Sequence, residues 1–229
     1  PDAIVSVSQS DNNDYYCRCK NCAAIAAYEE SEAGPMIHFV NKVARAIKDE
    51  FPKAAIDTLA YGYTRKPPKL TRPRHNVSVR LCSIECCFVH PLRHCRCDDP
   101  DAPNIDLSQP FAEDLIGWGK VCNRLYVWDY VTNFRHYLNP LPNLHVLQDN
   151  VNFFIENGVT GLFEQGNGED LSGEFGELRA YLLSKLMQNP YIDYDAYMNE
   201  FLEAYYGNGW QNIRQFIDMT IEKPVPEKR

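Results

Sequence analysis

The chain has 229 residues, of which 45% are hydrophobic and 24% are charged, and this composition is typical of a globular protein with a sizeable core. The formal net charge of −8 argues against a nucleic-acid-binding protein, since such proteins carry a basic surface. No run of 18 or more apolar residues is present, so a membrane is not an expected partner either.

Apolar and β-branched segments predict five strands along the chain. They cover residues 3–7, 55–63, 76–84, 124–130 and 159–164. Between and after them, apolar residues recur at helical spacing. The predicted helices cover residues 36–51, 111–121, 144–157, 174–188, 194–206 and 210–221.

Strands that alternate with helices predict βαβ crossovers and therefore a parallel sheet of an α/β protein. Five strands fit either an open sheet or the last five units of an eight-stranded (β/α)8 TIM barrel. The chain begins at Pro1, close to the first strand, and we expect it to be part of a longer protein. Residues 1–190 are interpreted as one domain, and residues 191–229 as a C-terminal helical extension.

Polar side chains follow all five strands at their carboxyl ends, where parallel α/β proteins place their active sites. Four of the five ends carry a carboxylate. In chain order the ends comprise Gln9, Asp11 and Asn12; Tyr61, Tyr63 and Thr64; Glu85 and His90; Asp129 and Asn133; and Glu164 and Gln165.

Two carboxyl groups in one cleft are the minimal apparatus for hydrolysing a glycosidic bond. One acid beside apolar or aromatic walls can donate a proton, and a better-solvated one can act as base or nucleophile. Tyr61, Tyr63 and Trp128 are candidates for stacking against sugar rings. The alternative is structural: the acids cap helices or pair with arginines, and about half of the rings belong to the core.

A C-x-C-x2-C cluster, Cys17, Cys19 and Cys22, has a spacing at which thiolates can hold a structural zinc ion. A fourth ligand is expected from Cys86 or Cys87 or from the pair Cys95 and Cys97. The alternative is a set of buried or disulfide-linked cysteines. All nine cannot pair within the chain, because nine is odd.

The sequence contains no phosphate-binding P-loop, dinucleotide-binding glycine motif, HExxH zinc motif or GxSxG elbow. Several of its segments resemble the domain-of-unknown-function family numbered 4838, which occurs in predicted polysaccharide-degrading proteins. The segments are VSVSQSDN (5–12) with CRCKNC (17–22), TLAY (58–61), VRLCSIECCFVHP (79–91), LYVWDYVTNF (125–134) and GVTGLFEQG (158–166).

That family is similar to the α-glucuronidases of glycoside hydrolase family 67, which are barrel enzymes. The resemblance implies that the five strands are strands four to eight of a barrel, with an N-terminal part of the same protein outside this chain. It favours a secreted or periplasmic location. In the α-glucuronidases one Glu protonates the leaving oxygen, and a later Asp and Glu handle the attacking water. The resemblance matches Asp129 and Glu164 to that later pair, and Glu85 to the acid with Asp11 as its competitor.

The sequence therefore predicts a glycoside hydrolase that acts on a carbohydrate and requires no cofactor, with catalytic Glu85, Asp129 and Glu164. The predicted substrate-binding residues are Asp11, Asn12, Tyr61, Tyr63, His90, Trp128, Asn133 and Gln165. One alternative is a non-catalytic carbohydrate-binding or scaffold module. Another is an interaction domain stabilised by zinc or disulfides.

Overall fold

The computed structural model describes residues 1–12, 15–95, 110–168 and 172–222. It contains five strands: β1 (Ala3–Ser6), β2 (Ala54–Ala60), β3 (Val77–Cys82), β4 (Leu125–Tyr130) and β5 (Val159–Gln165). The described helices are α1 (Lys20–Glu29), α2 (Ala33–Ile47), α3 (Phe111–Val121), α4 (Leu147–Glu156), α5 (Gly176–Gln188), α6 (Tyr194–Tyr206) and α7 (Trp210–Glu222).

The strands form one sheet in the order β1-β2-β3-β4-β5. Strands β1 to β4 pair in parallel, with Val5 opposite Ile56, Thr58 opposite Val79, and Leu81 opposite Val127. Consecutive parallel strands need a long crossover. Helices lie in the connections from β1 to β2, from β3 to β4 and from β4 to β5, whereas β2 and β3 are joined by a loop that contains the short helical turn Gly62–Thr64. The α/β class and the five predicted strands are therefore confirmed.

The prediction that these are strands four to eight of a barrel is wrong. Within the described residues the sheet starts at β1 and ends at β5, so it is open and has two edges. All four residues of β1 are exposed, and Ile4 and Val5 are about half exposed. The apolar pattern predicted the number and direction of the strands but not closure, because helices cover parallel strands in both architectures.

Two compact units divide the described structure. The first contains residues 1–87, 95–129 and 154–163, and the second contains residues 88–94, 130–153 and 164–229. The domain boundary predicted at residue 190 stays a prediction.

In the first unit the sheet has two faces, because side chains alternate along each strand. One face is closed: Ile56, Val79, Leu81, Leu125 and Val127 are all buried, and α2 packs against β2 and β3. The opposite face is half exposed at four positions. These are Leu59, Arg80, Tyr126 and Trp128.

The second unit has a helical core of its own. Leu182, Leu186 and Leu202 are almost completely buried within it. The guanidinium of Arg179 is buried as well, and donates to Asn143 Oδ1 at 3.1 Å and to Glu174 Oε2 at 3.0 Å. These contacts satisfy its charge, which would otherwise oppose folding.

Helix α1 is absent from the sequence prediction, which assigned no strand or helix to the cysteine-rich stretch. Its segment KNCAAIAAYE is rich in alanine, which has the highest helix propensity. The helix is terminated by its C-cap residue Glu30, whose φ of 51° places it in the left-handed region. Gly34 then lets α2 approach closely, since a Cβ there would lie 2.7 Å from Glu29 Cβ.

Glu29, the last residue of α1, is a buried anchor for the segment that follows β2. Its carboxylate accepts hydrogen bonds from Leu70 N at 2.8 Å, from Thr71 N at 3.0 Å and from Thr71 Oγ1 at 2.5 Å. Burial alone raises the pKa of Glu29, but the bonds from Thr71, Leu70 and His38 outweigh it and lower the pKa to about 2. The ionised carboxylate therefore stabilises the fold.

We expect Glu29→Gln to lower the free energy of unfolding by about 1–3 kcal/mol at pH 7, because buried donors lose a charged acceptor. The folded pKa of about 2 lies below the ordinary value of 4.5. The contribution is therefore complete above pH 4.5 and disappears as the pH falls towards 2. Urea unfolding of wild type and variant should show a stability difference that narrows over this range.

The matched control is Glu30→Gln, which changes the neighbouring exposed residue. Its carboxylate contacts Lys69 Nζ at 2.5 Å on the surface, where an ion pair contributes little. If the stability difference between wild type and Glu29→Gln stayed constant from pH 7 to pH 2, the ionised form of Glu29 would not be what stabilises the fold.

Candidate functional site

The carboxyl ends of β1 and β2 are joined by side-chain hydrogen bonds. Gln9 Nε2 donates to the carbonyl oxygen of Tyr61 at 2.8 Å, and Thr64 Oγ1 donates to Gln9 Oε1 at 2.5 Å. Gly62–Thr64 forms a single helical turn after β2, so Tyr61 and Tyr63 lie just beyond the strand. The strand prediction extended three residues too far, because the aromatic residues continue the β-like pattern into the turn.

Tyr61, just after β2, is influenced by acids that follow β1 and β3. Burial, followed by the negative charges of Asp11 and Glu85 and a hydrogen bond with Asp11, raises the pKa of Tyr61 to about 12. Both carboxylates therefore act on one phenol, which stays protonated and can donate a hydrogen bond at neutral pH. Asp11 is exposed, whereas Glu85 is only 4% exposed.

Glu85 follows β3 and faces the buried guanidinium of Arg65. Arg65 Nη1 lies 3.6 Å from Glu85 Oε2, and Arg65 Nε donates to Asp114 Oδ2 at 2.6 Å. Trp118 Nε1 donates to the carbonyl oxygen of Arg65 at 2.7 Å. This buried cluster fixes Glu85 relative to α3 and supplies a positive charge next to its carboxylate.

Asp129 is also placed by a neighbouring strand. Its carboxylate accepts a short hydrogen bond from Ser83 Oγ, in the residue that follows β3. Asp129 shares the closed face of β4 with Leu125 and Val127 and is 4% exposed. It is therefore a well-ordered carboxylate with little access to solvent.

Asn12 and Tyr63 have clear structural contacts in the first unit. Asn12 Oδ1 accepts from Tyr15 N at 2.7 Å, in a local turn. The ring of Tyr63 stacks on Tyr16, with 4.6 Å between centroids. Trp128, on the half-exposed face of β4, makes an edge-to-face contact with Phe163, with 4.9 Å between the ring centroids. Both rings are therefore already partnered within the protein.

The remaining predicted residues belong to the second unit. Asn133 Oδ1 accepts from Arg135 N at 3.1 Å and from His136 N at 3.2 Å, which is a local turn contact. His90 is exposed, and Glu164 and Gln165 are half buried. The first unit thus brings together Asp11, Tyr61 and Glu85, and the second contains Glu164.

Two features of this site were not predicted from the sequence. Arg65 lies in a proline- and lysine-rich loop, where a charged residue is normally solvated. Asp57 and Arg80 lie within strands, and their side chains form an ion pair of 3.4 Å. The sequence does show one charged residue inside each of these apolar strands. Opposite charges in adjacent strands tend to pair, so this ion pair could have been predicted.

The three clustered cysteines lie at the start of α1, in the first unit. Cys17 and Cys19 are exposed, and the Sγ atoms of Cys17, Cys19 and Cys22 all lie within 4.8 Å of one another. Hydrogen bonds from the backbone of Cys22, and then from the thiols of Cys17 and Cys22, lower the pKa of Cys19 to about 7. This cluster can hold a metal ion.

Three of the four cysteines considered from the sequence as a fourth ligand do not join this cluster. Cys86, Cys87 and Cys95 are not members of the group that the described residues form around Cys17. Instead, the Sγ atoms of Cys87 and Cys95 lie 3.2 Å apart as a separate pair. Cys97 lies outside the described residues.

No helix in the described ranges is long and apolar enough to cross a membrane. No curated protein and no solved structure matches the chain. Residues 1–218 match the family model described as Domain of unknown function (DUF4838). That match spans nearly all of the 229 residues, and it agrees with the motifs at the ends of the strands. The chain therefore belongs to the DUF4838 family.

Proposed function

We propose that the protein is a glycoside hydrolase that uses paired carboxylates at the carboxyl ends of its parallel strands. The observation that carries this proposal is the position of Asp11, Tyr61 and Glu85 just beyond three consecutive strands of one parallel sheet, where Gln9 bonds to Tyr61 and Thr64. In parallel α/β enzymes the residues that act on the substrate lie at the carboxyl ends of the strands. Glycoside hydrolysis needs two acids placed on either side of one bond.

The environments of the two acids differ, and this difference suggests their roles. Glu85 is buried beside the Arg65 guanidinium, which stabilises a negative charge and suits a base or nucleophile. Asp11 is exposed and interacts with the Tyr61 hydroxyl, and is therefore accessible to a substrate. We assign Asp11 to proton transfer with the leaving oxygen, and Tyr61 to orienting it. The sequence favoured Glu85 as the proton donor and Asp11 as its competitor, and this assignment gives that role to Asp11.

The similarity to the α-glucuronidases suggests a later Asp and Glu, and we propose Asp129, in the first unit, and Glu164, in the second, each as a further acid. The same similarity suggests a substrate that carries a uronic acid. Asp129 is held by Ser83 and lies on the closed face of the sheet. Its proposed role therefore rests on its position in the order of the strands. Glu164 is half buried at the end of β5, with an accessible portion for a ligand.

A non-catalytic carbohydrate-binding module is the second candidate. The burial of Glu85 and Asp129 favours it, because each is 4% exposed and engaged by a neighbouring side chain. Carboxylates held in this way can shape a binding surface without reacting. Such a module would bind oligosaccharides and leave them intact.

We expect Asp11→Asn and Glu85→Gln each to reduce kcat at least 100-fold on aryl glycosides or glucuronosyl oligosaccharides, because each removes an acid–base group. Hydrolysis is measured by release of the aryl group or of reducing ends. Glu30→Gln, a change at an exposed acid after α1, is the control and should leave kcat unchanged. Circular dichroism establishes that each variant is folded.

Wild-type binding without hydrolysis across the substrate panel would favour the binding module. Hydrolysis that is unaffected by both substitutions would contradict the assignment of Asp11 and Glu85.

For the later pair we expect Asp129→Asn and Glu164→Gln to lower kcat/KM by at least tenfold on the substrate that the wild type cleaves. Gln is close in size to Glu, and Asn to Asp, so packing is largely kept while the charge is removed. The matched control is Asp149→Asn, which changes an acid of α4 whose carboxylate contacts Arg93 Nε at 3.0 Å. If both variants match the wild type, the positional match to the α-glucuronidases is wrong.

A further inference from the structure

Three thiols at the start of α1 have the arrangement of an incomplete tetrahedral metal site. Their Sγ atoms lie within 4.8 Å of one another. In a zinc–thiolate site with Zn–S bonds of about 2.3 Å, sulfur atoms are roughly 3.8 Å apart. Small rotations of side chains, two of which are exposed, can close that difference.

The position of Cys19 at the start of α1 suits a thiolate. Cys19 is the N-cap of α1, and the first turn contains no acidic residue. A helix N-terminus stabilises negative charge through its free N–H groups and dipole. Arg18 and Lys20 alternate with the cysteines in the chain, and three thiolates around a divalent cation would carry a net charge of −1.

The cluster is also attached to the candidate site. On its N-terminal side, Gln9 is hydrogen-bonded to Tyr61 and Thr64. Closer to the cysteines, Tyr16 stacks on Tyr63, and the guanidinium of Arg18 lies 4.7 Å from the centre of the Tyr16 ring. A cation at the three sulfurs would hold the C-terminal end of this connection in place.

We propose that Cys17, Cys19 and Cys22 bind one Zn²⁺ through three thiolates. The ion fixes the segment from Tyr15 to Cys19 that leads into α1. Among the described residues, the other cysteines considered as a fourth ligand do not belong to this group. The inference does not depend on glycoside hydrolysis.

The test is metal binding by the reduced protein. We expect Cys19→Ala to contain about one zinc ion fewer per chain than the wild type, by inductively coupled plasma mass spectrometry. It should also lose the near-ultraviolet thiolate-to-metal absorption that appears when Co²⁺ replaces zinc. The matched control is Cys122→Ala, a cysteine outside the group, which should keep both signals.

A second measurement uses only the wild-type protein and so does not require a variant to fold. Added Zn²⁺ should slow labelling of Cys17 and Cys19 by a maleimide at least tenfold, and a chelator should restore it. Hydrogen exchange in the peptide that contains Gln9 should rise when zinc is removed. Equal zinc contents in the Cys19 and Cys122 variants or no protection from labelling would each overturn the proposal. So would a disulfide within the group that persists when the protein is treated with a reductant.

Discussion

The buried guanidinium of Arg65 is the interaction on which the arrangement of the candidate site depends. It is 1% exposed and meets two acids, Asp114 from α3 and Glu85 from the end of β3. Burying a charge costs several kcal/mol unless the surroundings compensate it. Removing Arg65 would take a positive charge away from two buried carboxylates, so the position of Glu85 and the packing of α3 are linked.

The same loop also organises the phenol at the centre of the site. The chain leaves β2 at Ala60, turns at Gly62, whose φ is 55°, and reaches Arg65 within five residues. Tyr61 and Arg65 therefore approach Glu85 from one short segment, the first with a hydrogen-bond donor and the second with a positive charge. Positive φ at Gly62 is what allows so tight a turn.

Much of the fold follows from local patterns. The bounds of α3 and α6 were predicted correctly, because Pro110 precedes one helix, and Asp193 and Gly207 flank the other. Helix α1 was missed, since its cysteines suggested a loop and its apolar residues form a weak stripe. Closure of the sheet could not be predicted, because covered strands look alike in open and closed sheets.

The site was predictable only in part. The sequence placed Asp11 and Glu85 after strands, and the structure agrees, whereas Asp129 and Glu164 lie within β4 and β5. The sequence did not indicate which of these side chains lie on the same side of the sheet. Asp129 follows the alternation of β4 onto the closed face, and that outcome needs the register of the sheet. Arg65 is distant in sequence from Glu85 and Asp114, and its burial is a result of tertiary packing that no local pattern encodes.

The burial of Arg65, Asp114 and Glu85 has a consequence for how the protein responds to its medium. Counterions screen charges that they can approach, and at physiological ionic strength the Debye length is about 8 Å. Side chains that are 4% exposed or less are largely inaccessible to them. The geometry at the strand ends is therefore insensitive to salt, whereas the exposed contact between Lys69 and Glu30 weakens as salt rises. The buried charges of Arg65, Asp114 and Glu85 therefore keep their interactions as the salt concentration changes, and the exposed ion pairs do not.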